Sequence, residues 1–378
     1  MANGASGGAK IPSDMAKNVV AAEPREWAQG RVWDSFGTHE QAVGMAPRDS
    51  RRCPRVRDLL TCFSGFGWYP WGISIRSEER HMATASTRPV PSGREIREGF
   101  DALADVYYAY WGEYLHLAIF DEPDSLADLA AAYQRTHERY FAAIGGLTAE
   151  RVLELACGGG ALSAWMADRT AGEVVGVDFS SRQLQHAARY VAGGRRPNLR
   201  FVQHDIMRLA DLDEGCFDAA ICLDAGCYLP DRGAALKQVA ACLRPGARLL
   251  VVDWCANERT TGLQHELLLQ PLCRYWAITG LGSASGYRKA LGAAGFSVVE
   301  IDDLSECVMP NWERGYQAAL GALAEPATVA RVLGRMTARV RHGACFVQAA
   351  KDQVQVALLA KAAAESGALR YVSLLAER

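Results

Sequence analysis

The ten residues Arg151-Val-Leu-Glu-Leu-Ala-Cys-Gly-Gly-Gly160 constrain this chain more than any others. A short apolar run ends in consecutive glycines and is followed by Ala161-Leu-Ser-Ala-Trp-Met-Ala167. The pattern reads as a buried strand, a tight turn and a helix. Glycines at such a turn let a ligand come close to the backbone. The helix start that follows offers free N–H groups. Glu154 sits inside the strand, near its end. Its charge would repel a phosphate there, whereas it suits a cofactor carrying a positive amine.

The rest of the chain supplies room for a sheet around that turn. The 378 residues allow one large domain or two modest ones. From 152 onwards strand and helix patterns alternate. Strands are expected at 152–156, 173–177, 199–204, 217–223, 248–253 and 296–301, with a last one at 369–376. Helices are expected near 161–169, 181–191, 231–242 and 284–294. Such alternation predicts an α/β fold whose parallel sheet is covered on both faces. Before it, Phe100, Leu103, Ala104, Tyr107, Tyr108 and Trp111 recur at helical spacing. A second helix is expected over 125–144, capped by Asp124 or Ser125 and ended by Gly145-Gly146. A helical insertion, 311–364, divides the last two strands and is expected over the mouth of the sheet. Residues 1–94 show no sustained period and read as a poorly structured extension, with Met82 as an alternative start.

Composition excludes several partners. A formal net charge of −2 offers no basic face for nucleic acid. No apolar run is long enough to span a membrane. The 11 cysteines are scattered without paired metal-ligand spacing, as in a reducing cytoplasm. No His, Cys and Asp cluster has the spacing of a zinc site.

Four pieces then stand in order. The turn with Glu154, Gly158 and Gly160 is first. Asp178 ends the second strand, where a carboxylate can accept from a ribose diol. His204-Asp205 follows the third strand, where Asp205 could accept from an adenine amino group. Phe217 to Asp224 is the fourth, bringing a strand end beside the cofactor. The set resembles the class I S-adenosylmethionine-dependent methyltransferases of small molecules, over about residues 95–378. Leu243-Arg-Pro-Gly246 and Gly295-Phe296 are similar to that family's turns before its fifth and sixth strands. The resemblance implies a Rossmann-like seven-stranded sheet of order 3-2-1-4-5-7-6 with strand 7 antiparallel. It implies lid helices over 95–146 and S-adenosyl-L-methionine as cofactor. It places Gly158 and Gly160 at the methionine part, with Glu154 helping to hold its ammonium indirectly, Asp178 at the ribose and His204-Asp205 beside the adenine. Ala156, Phe179, Gln183, Ile206 and Cys222 are implied as further cofactor-binding residues.

The acceptor side is less determined. Asp224 is a candidate for steering or removing a proton, with Tyr228 lining the pocket; Asp is also a common turn former. The segment around it is similar to that of phosphoethanolamine and sarcosine methyltransferases, and near in form to that of prenyl diphosphate methyltransferases. Trp111-Gly112 and His116 match the family's lid element, but His116-Leu-Ala-Ile-Phe120 departs from its usual continuation. His116 is a second candidate base or a structural donor. Tyr107, Tyr110, Trp111 and Tyr114 would hold a cation or a flat apolar acceptor, or would pack on the sheet. Trp254, Trp276 and Trp312 are expected near the pocket, and Met309-Pro-Asn-Trp312 is similar to a segment of tocopherol-type relatives. The reading is methyl transfer to carbon, oxygen or nitrogen of a small secondary metabolite. A cofactor-binding cyclase on the same fold and a nicotinamide-dependent oxidoreductase remain as alternatives, and homo-oligomerisation stays open.

Overall fold

A computed structural model describes residues 91–121, 129–212, 215–325 and 343–378. The expected extension before Pro91, Met82 included, and the Asp124 or Ser125 cap lie outside the described residues.

The first helix, α1 (Gly93–Trp111), starts two residues earlier than expected, because Ser92 and Glu95 form a reciprocal capping box. Helix α2 (Leu129–Ala143) ends at the predicted glycines; Gly146 N–H donates to the Phe141 carbonyl. The alternating region then gives β1 (Arg151–Leu155), α3 (Ala161–Ala167), β2 (Glu173–Asp178), α4 (Ser181–Ala187), β3 (Leu199–Gln203), β4 (Phe217–Leu223), α5 (Arg232–Cys242) and β5 (Leu243–Ala256). A helical segment over 262–275 leads to α6 (Ala284–Ala293), β6 (Ser297–Asp303), α7 (Met309–Ala324), α8 (Gly343–Glu365) and β7 (Leu369–Glu377).

The seven strands form one sheet of order β3-β2-β1-β4-β5-β7-β6. Strands β1 to β5 pair in parallel, and β7 runs antiparallel to both β5 and β6. Strand β5 is longer than expected because its second half follows β7 from Arg248↔Glu377 to Ala256↔Leu369.

Period two sorts the central strands onto two cores. Val152, Val174, Ala219, Ile221, Leu250 and Val252 face a layer containing Tyr140, Trp165 and Trp312. Leu153, Val175, Ala220, Cys222, Leu249 and Val251 face the layer of α5 and α6. Strands β1, β2 and β4 are buried on both faces, which explains their near-continuous apolar runs. The carboxyl ends of β1 to β5 share one rim, the place where open α/β sheets bind ligands.

Candidate active site

Two strand ends at that rim bend sharply. Ala156 after β1 has φ 53° and Asp224 after β4 has φ 51°, left-handed values that cost a non-glycine residue about 1 kcal/mol or more. Gly158 and Gly160 continue the first bend at φ 53° and 73°. A Cβ on Gly160 would lie 2.4 Å from the Phe201 ring and 2.9 Å from the Ala187 Cβ, so this glycine brings helix and sheet together. Gly160→Ala should destabilise the fold by roughly 2–4 kcal/mol, left-handed strain plus overpacking. Urea unfolding with an unchanged m-value checks it.

The turn closes a cavity. Glu154, Ala156, Gly158, Gly160, Asp178, Phe179, Gln183, His204, Asp205 and Ile206 all line it. Asp178 braces it, accepting from Gly158 N–H at 2.9 Å and Ser180 N–H at 2.8 Å, one bond per oxygen. Each oxygen keeps a further lone pair for a ribose hydroxyl. Asp205 caps the next turn by accepting from Met207 N–H at 2.9 Å through one oxygen. Its other oxygen has no hydrogen-bond donor among the described residues.

Glu154 is buried and accepts from Ser163 Oγ. Ser163 thus stands where a dinucleotide fingerprint expects its third glycine, and its hydroxyl holds the acid that such a fingerprint lacks. Burial pushes the Glu154 pKa from 4.5 up to about 8, with Ser163 opposing. A raised carboxyl pKa makes the fold less stable as pH climbs from 4.5 through 8, because the unfolded chain releases the proton first. Glu154→Gln should therefore raise the melting temperature of the cofactor-free protein at pH 8, leave it about equal at pH 4, and weaken the cofactor. A scan at both pH values, with and without S-adenosylmethionine, checks all three. The fit to that cofactor is good: a carboxyl for the ammonium, one for the ribose and one for the adenine stand in sequence around strained, side-chain-free backbone.

Cys222 is placed otherwise than the sequence suggested. Its side chain lines a small apolar cavity on the far side of the sheet, with Leu236, Val239 and Tyr287. Strand alternation turns it away from Ile221 and the main cavity.

Helix α1 roofs the cofactor end, with contacts the sequence reading missed. Asp101 accepts from Ser180 Oγ at 2.6 Å and Arg182 N–H at 3.0 Å. Asp105 pairs with Arg182 at 2.7 Å and His186 at 2.8 Å. Tyr108 OH donates to Gln183 Oε1, directly above Gly159. The signal was legible as polar residues at i, i+4 and i+7 on one face of an otherwise apolar-patterned helix.

The remaining space forms a second arm. Tyr107, Trp111, Tyr114, His116, Asp224, Tyr228, Trp254 and Trp276 line it, joined by the unpredicted Phe100. The side chain of Tyr110 lies outside the described residues. Trp111 stacks on Trp276 at 5.9 Å and 7°, and Trp276 meets Trp254 edge-on at 4.1 Å. Trp312 does not reach the cavity; it is buried behind Trp254 at 5.1 Å. Among the described residues, none of α7 or α8 lines the cavity either. The insertion backs the tryptophan wall: Trp111 Nε1 donates to Gln353 Oε1 at 3.0 Å and its ring lies against Gly315.

Three titratable groups in this arm are pushed apart. Burial, reinforced by the Asp253 carboxyl, holds the Asp224 pKa well above 3.8. Its two oxygens are buried and complete no hydrogen bond, although Tyr371 and Trp254 stand beside them. Burial likewise raises Tyr228. Burial, then His137, pushes His116 well below 6.5. Burial thus favours the protonated form of Asp224 and Tyr228, while at neutral pH the His116 imidazole is neutral and carries a basic lone pair.

Among the described residues no group of three or more His, Cys, Asp and Glu is placed to hold a metal ion. None of the described helices is long and apolar enough to cross a membrane.

Comparisons with known proteins agree with this geometry. A family model described as "Methyltransferase domain" matches residues 152–246. The chain is 29% identical over 230 residues to 27-O-demethylrifamycin SV methyltransferase of Amycolatopsis mediterranei, covering 60% of this chain and 82% of the relative. The crystal structure of the [4+2]-cyclase SpnF has the same fold, with TM-score 0.61, 19% identity, and coverage of 77% of this chain and 98% of that one. The fold is also that of geranyl diphosphate C-methyltransferase from Streptomyces coelicolor, solved with Mg2+, geranyl diphosphate and S-adenosyl-L-homocysteine (TM-score 0.51, 16% identity, 73% and 98% covered). Its strand order, its acid-lined glycine turn and its similarity to these proteins mark the chain as an S-adenosylmethionine-dependent methyltransferase with the class I fold.

Proposed function

We propose that this enzyme methylates a hydroxyl oxygen of an uncharged, largely apolar small molecule of secondary metabolism. The observation that carries the reading is the chemistry of the acceptor arm. Its walls are Trp111, Trp254, Trp276 and Tyr114, and no lysine or arginine among the described residues lines the cavity. The acidic residues Glu113, Glu154, Asp178, Asp205 and Asp224 do line it. A diphosphate acceptor would meet these acids without a described cation to offset its charge. The structural neighbour that takes geranyl diphosphate was solved with Mg2+; no described acid cluster here suits such an ion. The relative whose name describes O-methylation of a rifamycin precursor favours oxygen over carbon.

Bound S-adenosylmethionine supplies an electrophilic methyl group, whose transfer leaves the electron pair on sulfur. The chain supplies position and a proton acceptor. Glu154 and Asp178 hold the cofactor, and the tryptophan wall holds the acceptor's apolar body. Asp224 and the Tyr228 hydroxyl orient its oxygen, while neutral His116 takes the hydroxyl proton as the O–C bond forms. Positioning alone can be worth up to roughly 7–11 kcal/mol of barrier. We place the enzyme in the cytoplasm, which suits the buried free thiols of Cys157, Cys222, Cys227, Cys242 and Cys255.

The test is a panel: 1-naphthol, a flavonoid phenol, 27-O-demethylrifamycin SV and geranyl diphosphate, each with S-adenosylmethionine. Release of S-adenosylhomocysteine with the uncharged alcohols supports the proposal. Turnover confined to geranyl diphosphate contradicts it.

A further inference from the structure

Behind His116 stands a second histidine that the sequence reading did not single out. His137 lies on α2, is buried, and its Nε2 is 2.9 Å from Nε2 of His116. The two rings cross at 60°, with centroids 5.0 Å apart. Tyr133 OH donates to the His116 carbonyl at 3.0 Å, fixing the backbone that carries the ring. His116 lines the cavity, whereas His137 lies deeper, with its ring against Trp165 at 5.3 Å. Among the described residues the His116 Nδ1 has no hydrogen-bond partner, and it is not one of the buried unpartnered atoms. The contact therefore leaves Nδ1 as the ring nitrogen open to the cavity.

One proton lies between two Nε2 atoms, and its ownership decides what His116 can do. If His137 donates, His116 carries its own proton on Nδ1. Both His116 nitrogens are then engaged and neither can take a proton. If His137 accepts, Nδ1 keeps its lone pair, and protonation there leaves the Nε2–H bond in place. We infer that His137 is a positioning residue: it accepts the Nε2–H of His116 and so fixes the tautomer whose Nδ1 receives the acceptor's proton. The inference rests on the reading of His116 as the base.

In the step it serves, the acceptor oxygen bonds the methyl carbon as the carbon–sulfur bond breaks, and sulfur keeps the pair. The hydroxyl proton passes to Nδ1. The positive charge lost from the sulfonium appears on the His116 imidazolium, whose Nε2–H still donates to His137. The other groups facing the pair are the Tyr114 and Tyr133 rings, Trp165, and the Arg169 guanidinium, which acts on His137. Among the described residues no carboxylate acts directly on either imidazole. Glu154 and Asp224 reach only as far as Tyr114 and Tyr133. The pair is thus a neutral analogue of a tautomer-setting carboxylate, and removing it should cost less than the ~10⁴-fold lost when that carboxylate is replaced in serine proteases.

The first test uses the unaltered full-length chain. Nitrogen-15 histidine labelling with S-adenosylhomocysteine bound, at pH 7.5, should show His116 with a bare Nδ1 and a protonated Nε2. A protonated Nδ1 with bare Nε2 would overturn the inference. The second compares His137→Leu, which removes the acceptor, with His137→Gln, which keeps one, using the panel alcohol turned over fastest. His137→Leu should lower kcat roughly 10- to 100-fold. It should leave cofactor affinity unchanged. His137→Gln should recover most of the rate. Equal losses in both variants, or a wild-type rate in His137→Leu, would overturn it. A wild-type rate in His116→Ala would instead sink the base itself, and a large loss there with a normal His137→Leu would sink the inference alone.

Discussion

Asp178→Ala should lower the affinity for S-adenosylmethionine by roughly 10²- to 10⁴-fold. Two bonds from a ribose diol to a carboxylate are worth about 1.5–3 kcal/mol each. The same oxygens hold Gly158 N–H and Ser180 N–H, so the substitution also frees the turn that shapes the methionine end. Asp178→Asn keeps one acceptor oxygen and should lose less. Burial raises the Asp178 pKa from 3.8 to about 6. The group must be ionised to accept at both oxygens, so cofactor affinity should fall as pH drops through about 6 and level off above it. Calorimetry of wild type and both variants across pH 5 to 8 reads this directly. An affinity that Asp178→Ala leaves within threefold would mean the ribose is held elsewhere.

His116→Ala should lower kcat by about 10²- to 10⁴-fold, the usual range for a positioned general base, with cofactor affinity unchanged. The sign of the pH dependence follows from burial, which pushes the imidazole pKa well below 6.5. The neutral form is the active one. The wild-type rate should therefore be flat from pH 6.5 upwards and fall only in more acid solution, and the variant should lack that limb. If Asp224 were the base instead, activity would rise with pH as its raised pKa is crossed. The wild-type profile alone thus separates the two candidates. A His116→Ala enzyme of normal rate would leave the oxygen acceptor without a described neutral base.

The cofactor half was legible in the sequence because its constraints are local. Ala156, Gly158 and Gly160 report a strained turn, and Glu154 and Asp178 sit at strand ends fixed by period two. The sheet order followed from the resemblance, and its two-sided burial from the alternation of Val, Leu and Ala. The acceptor half was less legible because its contacts are long-range. Trp111 touches Trp276 from 165 positions away in sequence, and Trp312 matches its neighbours in kind yet sits one layer too deep. Cys222 was misplaced by one strand face, a distinction alternation alone would have caught. His137 could not be found at all from its own neighbours. Only the fold brings α2 against the segment carrying His116. Where strand ends set the geometry, residue type was enough; where separate helices meet, it was not.

The most direct measurement is methyl tracing. Full-length enzyme, S-adenosylmethionine deuterated in its methyl group and the uncharged alcohols are incubated together, and products are read by mass spectrometry. The account predicts an intact labelled methyl on the acceptor's oxygen, in wild type and not in Asp178→Ala. Cofactor bound tightly with no label on any alcohol, or label found only on the prenyl chain of geranyl diphosphate, would contradict it.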